Sequence, residues 1–181
     1  MDRLFELSVA KTFRLGLIAF LFLLCFAFFL PATLLAQSGI DHWEAVVLDG
    51  STWSYLIPTA QPDANWLLSE FDDSEWFEGN SGFGYGDDDD ETLVDQTMSI
   101  YLRHQFELGD MDTMDSALFL MDYDDGFVAY LNGIEITRGN AGEPGEFIAW
   151  NQNLPIDHEA VLYSGGIPDA HPVDFSSLIF E

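Results

Sequence analysis

The sequence has a single cysteine among its 181 residues, so the chain cannot form an internal disulfide. This residue, Cys25, lies inside an apolar run and follows Leu24, whereas a lipid-modified cysteine would follow a small residue at the end of such a run. We therefore interpret Cys25 as an ordinary residue of the run. An exported domain of this size without disulfides must depend on its hydrophobic core or on a bound ion for stability.

Basic residues are also scarce, because only five lysines and arginines stand against 32 aspartates and glutamates. Beyond residue 36 only Arg103 and Arg138 remain, against 30 acidic residues, which gives this part of the chain a net charge of −28. Such a charge disfavours binding to nucleic-acid phosphates or to an anionic lipid surface. Aromatic residues make up 15% of the chain, which excludes an acidic disordered tail and indicates a packed core.

Catalytic motifs are missing as well. The four histidines lack the zinc-binding spacing His-Glu-x-x-His, and there is no Gly-x-Ser-x-Gly elbow, phosphate-binding loop or kinase signature. His158 and Glu159 are adjacent and could form an acid–base pair, but they are also expected at the start of a strand. His104 lies on an apolar strand face and is predicted to be a hydrogen-bonded core residue. We expect no enzymatic activity from this chain alone.

The first 36 residues have the features of a secretory signal peptide. Arg3, Lys11 and Arg14 form a positively charged start, residues 15–30 are apolar throughout, and Ala36 is the small residue expected before a cleavage site. As a helix, residues 15–36 would extend roughly 33 Å, which also suits a membrane anchor, since the hydrocarbon core is about 30 Å thick. Both alternatives export the remainder, so the protein is predicted to be secreted, extracellular or in the cell envelope, with membrane contact only through an uncleaved leader.

Residues 37–181 lack an extended helical pattern and contain short apolar runs separated by turn residues instead. Residues 98–108 alternate between apolar and polar positions, as a strand with one buried face does. Residues 116–123 are apolar on both faces, which is typical of a central strand. Further strands are predicted at residues 43–48, 53–57, 158–163, 173–175 and 178–180, and a helical turn within residues 65–76. The pattern predicts an all-β fold, an antiparallel β-sandwich.

Residues 121–138 are organised by two turns. Asn132-Gly133 separates two apolar runs and predicts a hairpin with a type I′ turn, in which both central residues have positive φ. Asp124-Asp125-Gly126 predicts a turn that joins residues 116–123 to this hairpin. We therefore predict three consecutive antiparallel strands.

A run of adjacent acidic residues is a candidate calcium site. Calcium binds six to eight oxygen atoms, and adjacent carboxylates repel one another unless a cation lies between them. The candidate ligands are Asp87, Asp88, Asp89, Asp90 and Glu91. The alternative for this run is a solvated loop. A second acidic cluster at residues 122–125 resembles an EF-hand loop superficially, but its glycine comes one place early and Gly133 stands where a glutamate is required. We interpret the acidic residues and glycine of that cluster as residues that favour a turn.

Aromatic residues beside amides and carboxylates are candidates for stacking against sugar rings. The residues predicted for carbohydrate binding are Trp53, Tyr85 and Trp150. Trp150 is the strongest candidate, because it precedes the amide side chains of residues 151–153. The alternative for large aromatic side chains in a disulfide-free sandwich is burial in the core, which we expect for Trp66 and Trp76.

An ordered run of motifs from residue 43 onward resembles a known family. In order, the motifs are Trp66, Phe71-Asp72-Asp73-Ser74-x-Trp76, Gly82-Phe83-Gly84-Tyr85-Gly86-Asp87, Tyr101-Leu102-Arg103, Tyr123-Asp124-Asp125-Gly126 through Asn132-Gly133, and His158-Glu159-Ala160 with Gly165-Gly166. Together they resemble the galactose-binding-like jelly-roll modules of secreted multidomain bacterial proteins, which precede CotH-type kinase (spore-coat-protein-H-type) or lamin-tail domains.

The resemblance implies a jelly-roll sandwich with a closing strand after residues 178–180, which this sequence does not contain. We therefore expect residues 37–181 to be a C-terminally truncated module of a longer protein with downstream domains. The function implied is a non-catalytic extracellular binding or accessory module that contacts glycan or another extracellular protein, with calcium as the candidate cofactor. The alternative is a structural spacer ahead of a CotH-like kinase or another catalytic domain.

Overall fold

The computed structural model of the protein describes residues 5–11, 40–86, 90–109, 114–174 and 178. Within these residues the chain consists of strands joined by loops and short 3-10 turns. The strands are β1 (Phe5–Lys11), β2 (His42–Val47), β3 (Thr52–Leu56), β4 (Phe77–Asn80), β5 (Phe83–Gly84), β6 (Thr92–Leu93), β7 (Tyr101–Arg103), β8 (Met114–Met121), β9 (Phe127–Leu131), β10 (Ile134–Gly139) and β11 (Asp169–Val173). The 3-10 turns are Ala64–Leu67, which confirms the predicted helical turn, and Leu162–Ser164.

The strands form two main sheets and two smaller pairs. One sheet has four strands in the order β11-β8-β1-β2, and another has three in the order β4-β3-β7. Strands β9 and β10 form a separate hairpin, and β5 and β6 pair over two residues. All pairings are antiparallel except that of β5 with β6. The fold is therefore all-β with antiparallel sheets, which is consistent with the predicted sandwich.

The hydrophobic core joins the four-stranded sheet to residues of β3 and β5. Its buried members are Val47, Trp53, Phe83, Ala117, Phe119, Val173 and Leu178. The alternating run 98–108 contributes to the same core, because Ile100, Leu102, Phe106 and Leu108 all pack against it. This confirms the predicted buried face from Ile100 onward, whereas Met98, the first apolar residue of the run, is exposed. Full burial of one such large apolar side chain stabilises the fold by about 1.5–3 kcal/mol.

The predicted hairpin is confirmed. Strands β9 and β10 pair with Leu131 opposite Ile134, and the two turn residues Asn132 and Gly133 have φ of +48° and +82°. Both values are those that a type I′ turn requires, which Asn and Gly adopt at the lowest cost.

The prediction of three consecutive antiparallel strands is wrong, because β8 and β9 do not pair. Strand β8 lies between β1 and β11 in the four-stranded sheet instead. After β8 the buried carboxylate of Asp122 accepts hydrogen bonds from the backbone N–H groups of Val161 and Leu162, at 2.8 and 3.0 Å. These bonds tie the end of β8 to a segment 39 residues further along the chain.

Two predicted strands are shorter or absent. Within the run 98–108 only Tyr101–Arg103 pairs with β3. The following residue, His104, donates from its Nδ1 to the carbonyl of Thr52 at 2.8 Å. Residues 158–163 form no strand, since their N–H groups bond to Asp122 and the chain then enters the Leu162–Ser164 turn. His104 is hydrogen-bonded as predicted, but it is half-buried and does not belong to the core.

Part of the predicted leader lies inside the four-stranded sheet. Strand β1, Phe5–Lys11, pairs with β2 on one side and with β8 on the other. The remaining leader residues, 1–4 and 12–36, lie outside the described residues, so the signal helix and the cleavage site at Ala36 stay predictions. Among the described residues, no helix has the length and apolar character needed to cross a membrane.

Candidate ligand-binding site

A cavity of about 2110 Å³ opens beside the hydrophobic core. Strands β3, β7, β8 and β9 contribute to its walls, together with loops around residues 61–70 and 147–154. The lining combines aromatic rings, aliphatic side chains, a few amides and hydroxyls, and the carboxyl residues Glu70, Glu107, Asp122, Asp124, Asp125 and Asp157. Ligand sites in proteins have this composition, in which apolar walls carry a small number of polar groups.

The three residues predicted for carbohydrate binding all line this cavity. Tyr85 is 47% exposed, and Trp150 is half-buried. Trp53 is only 8% exposed, and its ring packs against His104 at a centroid distance of 4.8 Å. Trp53 is therefore a core residue that forms part of the wall, whereas Tyr85 and Trp150 present accessible surface.

A hydrogen-bond network that the sequence did not indicate holds the loop of Trp150. The backbone N–H of Trp150 donates to Oε1 of Gln61 at 3.0 Å, and its carbonyl accepts from Oγ of Ser99 at 2.7 Å. Nε2 of Gln61 in turn donates to the hydroxyl of Tyr101 at 3.2 Å. Both backbone groups of Trp150 are therefore bonded, which holds the main chain of this residue at the edge of the cavity.

A cluster of aromatic rings forms another part of the wall. The ring of Trp66 meets those of Tyr101 and Tyr130 edge to face, at centroid distances of 4.9 and 6.0 Å. The sequence predicted Trp66 as a core residue, but it is half-buried and lines the cavity. Burial, and secondarily the charge of Glu135, raise the pKa of Tyr130, so its hydroxyl remains protonated and able to donate a hydrogen bond.

Both arginines beyond the leader are used in ion pairs. Arg103 lines the cavity, but its Nε donates to Asp73 at 3.0 Å, and its Nη1 donates to the carbonyls of Trp66 and Leu68. Arg138 is paired with Glu135. Neither guanidinium is therefore available to a free anion, and the acidic residues of the lining further disfavour an anionic ligand.

The predicted calcium ligands lie only partly within the described residues. Asp87, Asp88 and Asp89 are outside them. The carboxylate of Asp90 packs closely against Gly84, so a Cβ at that position would require the carboxylate to move, and Glu91 is exposed. Among the described residues, no three His, Asp or Glu side chains are grouped as metal ligands. The calcium site stays a prediction from the sequence.

His158 contacts partners other than its neighbour Glu159. Its ring stacks on Tyr123 at a centroid distance of 4.0 Å, its Nδ1 donates to the Tyr123 carbonyl at 3.0 Å, and its Nε2 lies 3.7 Å from Asp169. The Tyr123 hydroxyl also donates to Asp169, at 3.2 Å. Burial and then this carboxylate raise the pKa of Tyr123, which keeps the phenol neutral. The cluster ties the end of β8 to the start of β11.

The cavity thus has accessible rings, hydroxyl and amide groups, several carboxylates, and no unpaired arginine among the residues described. Such groups can stack on and hydrogen-bond to a polar, uncharged molecule. Comparisons of the chain with protein families, with curated proteins and with solved structures found no match.

Proposed function

We propose that the protein is a non-catalytic extracellular binding module of jelly-roll type whose cavity takes a neutral glycan. The observation that carries the proposal is the placement of Trp53, Tyr85 and Trp150 around one cavity, although they are far apart in the sequence. The hydrophobic faces of sugar rings pack on aromatic rings, and Tyr85 and Trp150 offer accessible rings for this contact.

Polar groups at the cavity complement the hydroxyls of a sugar. Gln152 and Asn153 line it beside Trp150, and amide side chains both donate and accept hydrogen bonds, as hydroxyls do. The cavity volume of about 2110 Å³ exceeds the roughly 300–1,000 Å³ typical of a site for a drug-sized ligand. An oligosaccharide therefore suits this space better than a single sugar.

The charge of the protein narrows the class of glycan. Residues 37–181 carry a net charge of −28, and Arg103 and Arg138 are both paired. Sulfated or uronic-acid polymers would be repelled over the range of the Debye length, about 10 Å at 0.1 M salt. Neutral polysaccharides are not subject to this electrostatic repulsion.

A glycan array followed by isothermal titration of the full chain tests the proposal. We expect a neutral oligosaccharide to bind, and Trp150→Ala and Tyr85→Ala each to weaken binding about tenfold by removing an anchoring ring. The matched controls are Trp43→Ala and Tyr163→Ala, because these residues are 42% and 60% exposed and lie away from the cavity. Absence of any glycan bound above background, or an equal loss in the controls, would exclude the proposal.

A further inference from the structure

Strand β1 occupies a central position in its sheet although it belongs to the segment predicted to be the leader. Phe5–Lys11 pairs with β8 from Phe5 opposite Met121 to Lys11 opposite Met114. On its other side it pairs with β2 from Leu7 opposite Val47 to Lys11 opposite His42. The same residues cannot be part of this sheet and also leave with a cleaved leader.

The removal of β1 would leave a slot that β2 and β8 cannot close by pairing with each other in place. Neighbouring strands lie about 4.8 Å apart, so β2 and β8 are separated by roughly 10 Å, the space of one strand. Both strands are antiparallel to β1 and therefore run parallel to each other. Each would expose a row of unpaired backbone N–H and C=O groups toward the slot.

The residues beside the slot are among the most buried of the described chain. Val47 of β2 is 1% exposed, and Ala117 and Phe119 of β8 are 1% and 2% exposed. In the β1 register, Leu7 stands opposite Val47 and Phe119, and Val9 opposite Ala117. An empty slot would therefore open the hydrophobic core to water as well as two strand edges.

We propose that the slot between β2 and β8 is an acceptor site for an extended segment of a partner protein, which replaces Phe5–Lys11 when the leader is hydrolysed at Ala36–Gln37 or drawn into the membrane. Backbone hydrogen bonds to two strands at once supply the affinity, as in other cases of strand addition. The slot shares Val47 and Phe119 with the wall of the glycan cavity, so the measurements below are made without glycan and test strand addition alone.

The register defines the chemistry of the segment that fits. It spans about seven residues, runs antiparallel to both neighbours, and has apolar residues at alternate positions, as in the sequence FELSVAK of β1. Its last residue stands opposite His42, which contacts Glu44 at 3.0 Å and Asp41 at 3.6 Å. A basic residue is favoured at that end because of these carboxylates.

Hydrogen–deuterium exchange on the full chain in detergent micelles tests the proposal, with Leu7→Pro to disrupt β1 and Leu7→Ile as the matched control. Proline removes a backbone donor from a central strand, so exchange in both β2 and β8 is expected to accelerate by more than about tenfold, with β9 unchanged. Synthetic peptide FELSVAK added in trans to Leu7→Pro is expected to restore protection in both strands. The same peptide with its leucine replaced by proline is expected to have no effect.

A second measurement covers the case in which Leu7→Pro does not fold. A protease site introduced at Gln37–Ser38 allows the otherwise unaltered chain to be cut after folding. Residues 1–37 are then removed in mild denaturant, the denaturant is dialysed away, and isotopically labelled FELSVAK is added. We expect labelled peptide to be retained on residues 38–181 and to protect β2 and β8. No retained peptide in the cut chain, or unchanged exchange in a folded Leu7→Pro chain, overturns the proposal.

Discussion

The guanidinium of Arg138 and the carboxylate of Glu135, three residues apart on β10, form a two-pronged ion pair. Nε and Nη2 of Arg138 each donate to one oxygen of Glu135 at 2.7 Å. Arg138 also donates to the carbonyls of Ala141 and Glu146, at 2.6 and 3.0 Å, and only 5% of its side chain is exposed. One side chain thus fixes the loop that follows the hairpin.

Replacing Arg138 should therefore destabilise the fold strongly. In Arg138→Met the carboxylate of Glu135 and two carbonyls lose their donor, and breaking a buried pair in this way costs about 3–5 kcal/mol. Arg138→Lys keeps the charge but cannot make the two-pronged contact, so an intermediate loss is expected. Urea unfolding measures both variants. A free energy of unfolding for Arg138→Met within error of the unaltered chain would contradict this role.

Gly133→Val should destabilise folding without altering ligand preference. A Cβ at Gly133 would meet Leu67 and Leu68 only at 3.6 Å, an ordinary contact, so the cost arises from the φ of +82° rather than from a clash. Holding a side chain in this conformation costs about 1–2 kcal/mol. Gly109→Val is the control, since a Cβ there meets nothing within 4 Å. Thermal unfolding and glycan titration of both variants check the prediction, and a Gly133→Val protein as stable as the control would refute it.

Local patterns in the sequence predicted the local parts of the fold well. Asn132-Gly133 imposes a hairpin wherever it stands between apolar runs, and β3 and β8 follow the apolar runs at 53–57 and 116–123. Which strands are neighbours was not predictable in the same way. Strand β8 pairs with β1 and β11, whose positions depend on contacts such as that of Asp122 with Val161, and no periodicity signals a bond across 39 residues.

For the candidate site, the sequence likewise indicated residue types that could bind a sugar, but not the long-range contacts that bring them together. The residue types of Tyr85 and Trp150 pointed to sugar stacking, and the structure places both at one cavity. The bond from the Trp150 N–H to Gln61, across 89 residues, has no counterpart in the local sequence. Trp66 was assigned to the core because its neighbours are apolar, and only the folded chain shows one part of it facing the cavity.

Asp122→Ala should separate the end of β8 from the segment that precedes β11. The carboxylate is 2% exposed and accepts from two backbone N–H groups, which the substitution leaves without an acceptor. A loss of about 2–4 kcal/mol is expected, because each buried, unsatisfied donor carries a desolvation penalty. Asp72→Ala is the control, since Asp72 is exposed and accepts a single backbone bond from Ser74. Equal losses for the two variants by urea unfolding would argue against an anchoring role for Asp122.

The calcium prediction can be tested by titration after dialysis against chelator. If residues 87–91 bind calcium, we expect a heat of binding and a stabilisation of about 2.7 kcal/mol at a concentration 100 times the dissociation constant. Replacing the four aspartates with Asn and Glu91 with Gln should abolish both effects, whereas Asp49→Asn should preserve them. Calcium titration without detectable heat or stabilisation would show that residues 87–91 do not bind calcium.

His171 on β11 should make the stability of the fold depend on pH near neutrality. Its Nε2 is buried without a hydrogen-bond partner among the described residues, and its ring meets that of Phe127 edge to face at 5.2 Å. Burial lowers the pKa of His171 in the folded state, and the carboxylate of Asp169 only partly opposes this shift. The neutral imidazole is therefore the form that the fold accommodates.

Proton linkage determines whether this histidine stabilises the fold at high or at low pH. The unfolded chain binds a proton at His171 near its ordinary pKa of about 6.5, whereas the folded chain binds it only at lower pH. The stabilisation is thus complete above the unfolded pKa and is lost as pH falls from that value to the folded pKa. His171→Leu removes the titrating group, so its free energy of unfolding should change less than that of the unaltered chain between about pH 7 and pH 5. His42→Leu, at an exposed histidine, should keep the original slope, and identical slopes for His171→Leu and the unaltered chain would show that this imidazole does not sense pH.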